Sequence, residues 1–120
     1  MLLIFIGSSI PGGEADEVTR QASGVKDPVQ IQRIKDVVHI MEFGMLMLLL
    51  ARTLRLQGYS KPLQAGFIIT VLYGISDEAH QFFVPGRYPD MEDIIRNAAG
   101  AALGAFAVYV SEKRRRKRNT

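Results

Sequence analysis

Residues 76–93 read SDEAHQFFVPGRYPDMED and follow directly on an apolar run, residues 66–75. Asp77, Glu78, His80 and Gln81 therefore stand at the end of a predicted membrane helix. Ionisable groups are costly in hydrocarbon, and those found there usually face the interior of a bundle or a wet cavity and serve a function. The stretch predicts a polar functional site at one end of a helical membrane bundle.

The apolar residues are concentrated in four blocks: residues 1–10, 37–56, 63–84 and 94–110. A transmembrane helix needs about 20 residues, so the last three blocks predict full spans and the first is too short. The first block predicts either a short helix that enters the membrane partway or the remainder of a chain that starts further upstream. We expect an all-α, polytopic membrane protein with three full transmembrane helices and a short or truncated N-terminal helix.

The 120 residues allow one domain, which we expect to cover residues 1–112, with a basic tail over residues 113–120. The sequence has no cysteine, which excludes disulfides and thiolate chemistry. The tail contains KRRRKR but no stacking aromatic residues or recognition motif, so we expect no nucleic-acid partner. A soluble helical domain is left open, because the apolar blocks are short and interrupted.

Residues 12–35 are polar and predict an exposed linker that breaks at Asp27-Pro28. From Val29 to Val38, apolar residues recur at near-helical spacing, which predicts an amphipathic segment at the interface before the chain turns inward. Further along, Pro85-Gly86 and Pro89 end the third block in a stiff connection. Asp90 then predicts an N-cap for the last helix.

The charge distribution predicts the topology. If the turn after Leu56 and the C-terminal tail share one side, that side carries about +8 and the opposite side about −5, which together give the formal +3. Cytoplasmic flanks of membrane helices collect Lys and Arg, so we expect both termini in the cytoplasm. Acidic, basic and histidine side chains from three segments then meet at the outer face, where we predict a pocket built from His39, Glu42, Asp77, Glu78, His80, Gln81, Arg87, Asp90 and Asp93.

The last block also predicts a packing face. Asp90, Asp93, Asn97, Gly100 and Gly104 fall on one helical stripe. Gly100 and Gly104 form a small-xxx-small pattern that lets two membrane helices approach closely. We expect Asn97, Gly100 and Gly104 to serve helix packing, either within the chain or in a homo-oligomer. Arg96 projects off this stripe and predicts interfacial snorkelling.

Four motifs make the sequence resemble the VanZ-like family of small bacterial membrane proteins. They are residues 8–12 (SSIPG), the pattern Lys35-x-x-x-His39-x-x-Glu42-Phe43-Gly44, residues 77–87 (DEAHQFFVPGR), and Asp90-x-x-Asp93-x-x-x-Asn97-x-x-Gly100-x-x-x-Gly104. The resemblance implies a four-helix protein of the cell envelope, linked in some members to teicoplanin resistance. It implies no reaction.

Three classes of chemistry remain open for the predicted pocket. His80 or His39 could act as a general base, oriented by Asp77 or Glu42, with Arg87 holding a phosphate or carboxylate of an envelope lipid precursor. Alternatively, His39, Glu42, Asp77 and His80 could hold a divalent metal; no other cofactor is indicated. In the third alternative, the pocket binds an envelope group or a lipoglycopeptide among the membrane lipids and catalyses no reaction. A purely structural role competes with all three, in which the polar groups pair with each other, for example Asp77 or Glu78 with Arg87.

Overall fold

The described residues of the chain fold into five α-helices. The computed structural model describes residues 1–88 and 90–118, including all side chains except those of residues 2 and 3. The helices are α1 (Leu2–Ser8), α2 (Gly12–Ser23), α3 (Pro28–Leu56), α4 (Pro62–Gln81) and α5 (Met91–Arg118), and no strand occurs within the described ranges. The predicted all-α class is confirmed. Pro89 and the last two residues of the predicted tail lie outside the described residues.

Local signals explain where the long helices begin. The Asp27 carboxylate accepts a hydrogen bond from the Val29 amide at 3.1 Å, and Pro28 occupies the first turn of α3. Pro62 likewise opens α4. The Asp90 carboxylate accepts from the Glu92 amide at 2.9 Å, as the predicted N-cap of α5 requires.

Helices α3, α4 and α5 form the core of the molecule, in which every pair of helices is in contact. Ion pairs join α3 and α5 near both of their ends, Asp36 with Arg96 and Arg55 with Glu112. These two helices therefore run parallel, and α4 runs antiparallel to them and contacts both. The side chains of Phe43, Met47, Ala51 and Ala101 are fully buried in this core.

Glycines set the distance between α3 and α5. A Cβ on Gly100 would run into the Ile40 carbonyl oxygen, and one on Gly104 would lie 2.5 Å from the Gly44 oxygen. The predicted small-residue face is thus covered by α3 of the same chain. Asn97, on the same stripe, is 1% exposed and lies against Gly74; its amide has no hydrogen-bond partner among the described residues.

The region predicted to be a linker is largely helical, so that prediction was wrong. Helix α2 occupies residues 12–23 and packs against α3, to which a 2.8 Å ion pair between Asp16 and Lys35 joins it. Helix α3 also runs without interruption from the amphipathic segment into the apolar segment, because no glycine or proline separates Val29 from Phe43. The predicted turn between these two segments is absent.

Helix α1 is as short as the sequence predicts and packs against α4. In the described part of the chain, α3 and α5 are long and apolar enough to cross a membrane. Helix α4 has 20 residues but carries polar residues at both ends, so the predicted third span remains a prediction.

Candidate functional site

The residues predicted to form a pocket lie at one end of the bundle, around two neighbouring cavities. The first, the polar cavity, has a volume of about 430 Å³. Its walls come from the start of α2, the first part of α3, the loop after α4 and the start of α5. The lining residues are Gly12, Gly13, Asp16, Gln32, Lys35, His39, Gln81, Gly86, Arg87, Tyr88, Asp90, Glu92, Asp93 and Arg96.

The second, the apolar cavity, has a volume of about 340 Å³ and lies between α1, α2 and α3. Lys35, His39 and Arg87 line both cavities and form the junction between them. Glu42 lines only the apolar cavity. The full lining consists of Ile4, Gly7, Ser8, Ile10, Ala15, Val18, Thr19, Ile34, Lys35, Val38, His39, Glu42 and Arg87.

Asp77, Glu78 and Gln81 are buried at the end of α4 and tie neighbouring elements together. The Ser8 hydroxyl donates to Asp77 Oδ1 at 2.6 Å, which joins α1 to α4. Glu78 Oε2 accepts from the Asp90 amide at 3.2 Å, which joins α4 to the start of α5. Gln81 Nε2 lies within 3.4 Å of both carboxylates. These groups are the structural support of the site, and only Gln81 among the three reaches the polar cavity.

His80 faces α1 and lines neither cavity. Its Nε2 lies 3.0 Å from the Ser9 hydroxyl oxygen, and its ring stacks on Phe5 at a centroid distance of 4.4 Å. Asp77, the residue expected to orient His80, instead accepts from Ser8. The predicted pairing of Asp77 with His80 is therefore not the one that the structure contains.

His39 occupies the junction of the two cavities. Its ring stacks on Phe43 at a centroid distance of 6.4 Å. Its Nδ1 atom is buried and has no hydrogen-bond partner among the described residues. A buried nitrogen that lacks a partner costs free energy, and this one lies beside two cations and an open cavity.

Two of the cations in the polar cavity are already paired with acids. Arg96 makes ion pairs with Asp36 at 3.5 Å, with Glu92 at 2.7 Å and with Asp93. Lys35 pairs with Asp16. The interfacial snorkelling predicted for Arg96 is wrong, because a residue with three carboxylate partners is held within the protein.

Arg87 differs from the other two cations. Its Nε donates to the Ile10 carbonyl oxygen at 3.3 Å, and no carboxylate pairs with it in the described ranges. The ion pair with Asp77 or Glu78 considered from the sequence is replaced by this backbone contact. The Gly12 amide also donates to the Pro85 carbonyl at 3.3 Å, so the turn before α2 holds the loop that carries Arg87.

No three histidine or acidic side chains in the described ranges are grouped closely enough to hold a metal ion. His39 and Glu42 line the apolar cavity, whereas Asp77 and His80 bond to two different serines of α1. A divalent metal bound by these four residues remains a prediction.

Several residues of the site lie outside the pocket predicted from the sequence, among them Ser8, Ser9, Lys35, Asp36 and Arg96. For three of them a local signal exists. Lys35 lies four residues before His39 on the same helical face, and Ser8-Ser9 closes the first apolar block beside a Pro-Gly turn. The pairing of Asp36 with Arg96 has no local signal, because it joins two helices that are far apart in the chain.

Comparison with known proteins places the chain in a family. No curated protein and no solved structure gives a significant match. The family model described as VanZ/LLP1 matches residues 1–112, almost the whole chain, and confirms the resemblance carried by the four motifs. The chain belongs to the VanZ/LLP1 family.

Proposed function

We propose that this chain is a multi-pass protein of the bacterial cell membrane whose polar cavity faces outward and recognises a polar group of an envelope component. Arg87 carries the proposal, because it is a permanently charged donor at an open cavity and has no carboxylate partner among the described residues. Family membership supports an envelope role, and the teicoplanin link implied by the resemblance supports a lipid-linked precursor or a lipoglycopeptide as the ligand.

The surface of the bundle supports three spans. Large apolar side chains point outward from all three long helices, and contiguous apolar surface of this kind marks a contact with lipid or protein. On α4 these are Ile68, Leu72 and Ile75, each at least 45% exposed. A helix of 20 residues is about 30 Å long, the thickness of the hydrocarbon core, so α4 can complete the third span.

The ends of the bundle support the proposed orientation. The candidate site lies at one end, whereas the opposite end carries a cluster of cations: Arg52, Arg55, Lys61 and residues 113–118. Helix α1 points its first residue away from the site, since the Met1 carbonyl accepts from the Tyr73 hydroxyl at 2.7 Å, midway along α4. This direction fits cytoplasmic termini, a partial span by α1 and a basic cytoplasmic tail.

The test is antibiotic susceptibility in a host that expresses the intact chain, Arg87→Gln or Arg20→Gln at matched membrane levels. Arg20 is the control cation, because it lies on α2 outside both cavities and pairs with Glu17 in solvent. We expect the intact chain and Arg20→Gln to raise the teicoplanin threshold and leave that of vancomycin unchanged, and Arg87→Gln to lose the effect. Thresholds equal to that of the empty host for all three chains would contradict a resistance role.

The unpartnered Nδ1 of His39 favours a second candidate function, acid–base catalysis on an envelope lipid precursor. A glutamine at position 39 retains hydrogen bonding but cannot transfer a proton at neutral pH. Loss of the teicoplanin effect in His39→Gln, with retained binding of the envelope lipid to the purified protein, would favour catalysis over recognition. Metal analysis of the same purified protein tests the divalent-metal variant of this function.

A further inference from the structure

The junction of the two cavities joins a charged wall to an apolar one. Lys35, His39 and Arg87 line both spaces. On the polar side, the cavity continues toward the start of α5. On the other side, it continues between α1, α2 and α3 over aliphatic side chains that include Ile4, Val18 and Ile34. A ligand seated at the junction thus meets donors at one end and hydrocarbon at the other.

The junction presents an excess of hydrogen-bond donors. In the part of the chain that the structure describes, Arg87 has no carboxylate partner. The His39 ring lines the same junction, with its Nδ1 atom buried and unpartnered. Among the described residues, Lys35 is paired with Asp16 alone. The Asp16 side chain is 49% exposed, so water weakens this ion pair. Guanidinium and ammonium groups are donors only, so the complementary group is an anion with several acceptor oxygens.

The acids of the polar cavity outnumber its cations, Asp16, Asp90, Glu92 and Asp93 against Lys35, Arg87 and Arg96, but none of them pairs with Arg87 among the described residues. Glu92 and Asp93 are committed to Arg96, and the Asp90 carboxylate accepts from the backbone at the start of α5. A phosphate can accept from a planar guanidinium through two parallel hydrogen bonds while a lysine neutralises its remaining charge. Phosphate is thus the headgroup that these donors fit.

The apolar cavity accounts for an exposed apolar side chain on α2, that of Val18. Val18 is 56% exposed on a helix whose other outward residues are mostly polar. It lines the apolar cavity together with Val38 of α3, which is 46% exposed. An aliphatic chain between α2 and α3 would cover both side chains. Each buried methylene group tightens binding in water about fourfold, so even a short segment of tail adds affinity.

We infer that the site binds a lipid with a phosphate headgroup. The phosphate lies at Lys35, His39 and Arg87, and the first part of the lipid's hydrocarbon chain lies in the apolar cavity. The inference rests on the proposed function and names the class of its ligand. The same donors could bind free phosphate, but only a lipid uses both cavities.

The experiment compares dodecyl phosphate, inorganic phosphate and dodecanol as ligands of the purified full chain in an uncharged maltoside detergent. Dissociation constants are measured for the intact chain, Arg87→Gln and Val18→Asn, with Arg20→Gln and Val29→Asn as controls. Val29 is the matched control for Val18, because it is equally exposed, at 59%, and lines neither cavity.

We expect dodecyl phosphate to bind at least about tenfold more tightly than inorganic phosphate or dodecanol. Loss of a charge-assisted hydrogen bond weakens binding about tenfold or more, so Arg87→Gln should weaken dodecyl phosphate and inorganic phosphate alike. Val18→Asn should weaken the binding of dodecyl phosphate but not that of inorganic phosphate. Both control variants should bind each ligand as the intact chain does. Equal affinities for dodecyl phosphate and inorganic phosphate, or no effect of Arg87→Gln, would overturn the inference.

The outcome separates this inference from the proposed function. If dodecyl phosphate fails to bind while antibiotic susceptibility still depends on Arg87, the phosphate lipid is excluded and recognition of another envelope group stands. If dodecyl phosphate binds through Arg87 while susceptibility is unchanged, the inference is supported and the resistance role fails.

Discussion

Helices α3 and α5 meet in two different ways along their shared length. Midway, backbone lies against backbone, because Gly100 and Gly104 leave no side chain between α5 and the carbonyls of Ile40 and Gly44. At the end that carries the candidate site, the same helices are joined through the long side chain of Arg96 to Asp36. The first contact fixes the helices in direct apposition, and the second bridges a gap and leaves room for a cavity beside it.

The strongest test of this contrast is Gly100→Ala. The added Cβ would run into the Ile40 carbonyl, a backbone atom that cannot move without shifting α3, so we expect a loss of about 3 kcal/mol in the free energy of unfolding. Gly7→Ala is the control, because a Cβ on this helical glycine meets nothing within 4 Å and should be neutral or stabilising by up to about 1 kcal/mol. Thermal melting of both variants in detergent, followed by circular dichroism, measures the difference; equal melting temperatures would show that the glycine contact does not set the helix spacing.

A smaller effect is expected where α1 joins the site. Ser8→Ala removes the only contact of Asp77 to α1 among the described hydrogen bonds, and a hydrogen bond to a charged group contributes about 2 kcal/mol. Hydrogen exchange of the α1 amides should therefore accelerate. Ser9→Ala, one residue further along and exposed, should change this exchange little, since its hydroxyl reaches His80 at the surface; the opposite ranking would mean that His80 rather than Asp77 holds α1.

The smallest effect is expected at the ion pair between Arg96 and Asp36. A double-mutant cycle of Arg96→Gln and Asp36→Asn should give a coupling energy of about 1 kcal/mol, because both side chains are roughly three-quarters buried. The same cycle on Arg20 and Glu17, an exposed pair, should give at most about 0.5 kcal/mol. Chemical unfolding measures both energies. A coupling energy at Arg96 no larger than that at Arg20 would mean that Asp36 does not hold the two helices together at the end that carries the candidate site.

Much of the helical fold could be predicted from local rules. The apolar blocks coincide with α1, α3, α4 and α5, and the caps at Asp27 and Asp90 follow from residue type and position alone. Helix α2 could not be found by apolar periodicity, because it is polar. Its signal is the spacing of Glu17 with Arg20 and Gln21, which bond along one face of the helix.

The site itself is less predictable than the helices that carry it. The motifs indicate which residue types lie at one end of the bundle, but not which hydrogen-bond and ion-pair partners these residues have there. Whether Asp77 meets His80 or Ser8 depends on where α1 docks, and the partner of Arg96 depends on the register of α5 against α3. The glycine contacts fix that register. A single sequence shows the spacing of the glycines but not which helix packs against them.

The parallel contact of α3 with α5 has a consequence for biosynthesis. The segment from Asp90 through α5 is made after α3 and α4, and it supplies the glycine face that covers Ile40, the arginine that pairs with Asp36 and the Asp90 amide that bonds to Glu78. Until this segment has left the ribosome and docked, Asp36 and Glu78 lack these partners. The candidate site can therefore form only after α5 has been synthesised, so α1 to α4 alone should not contain it.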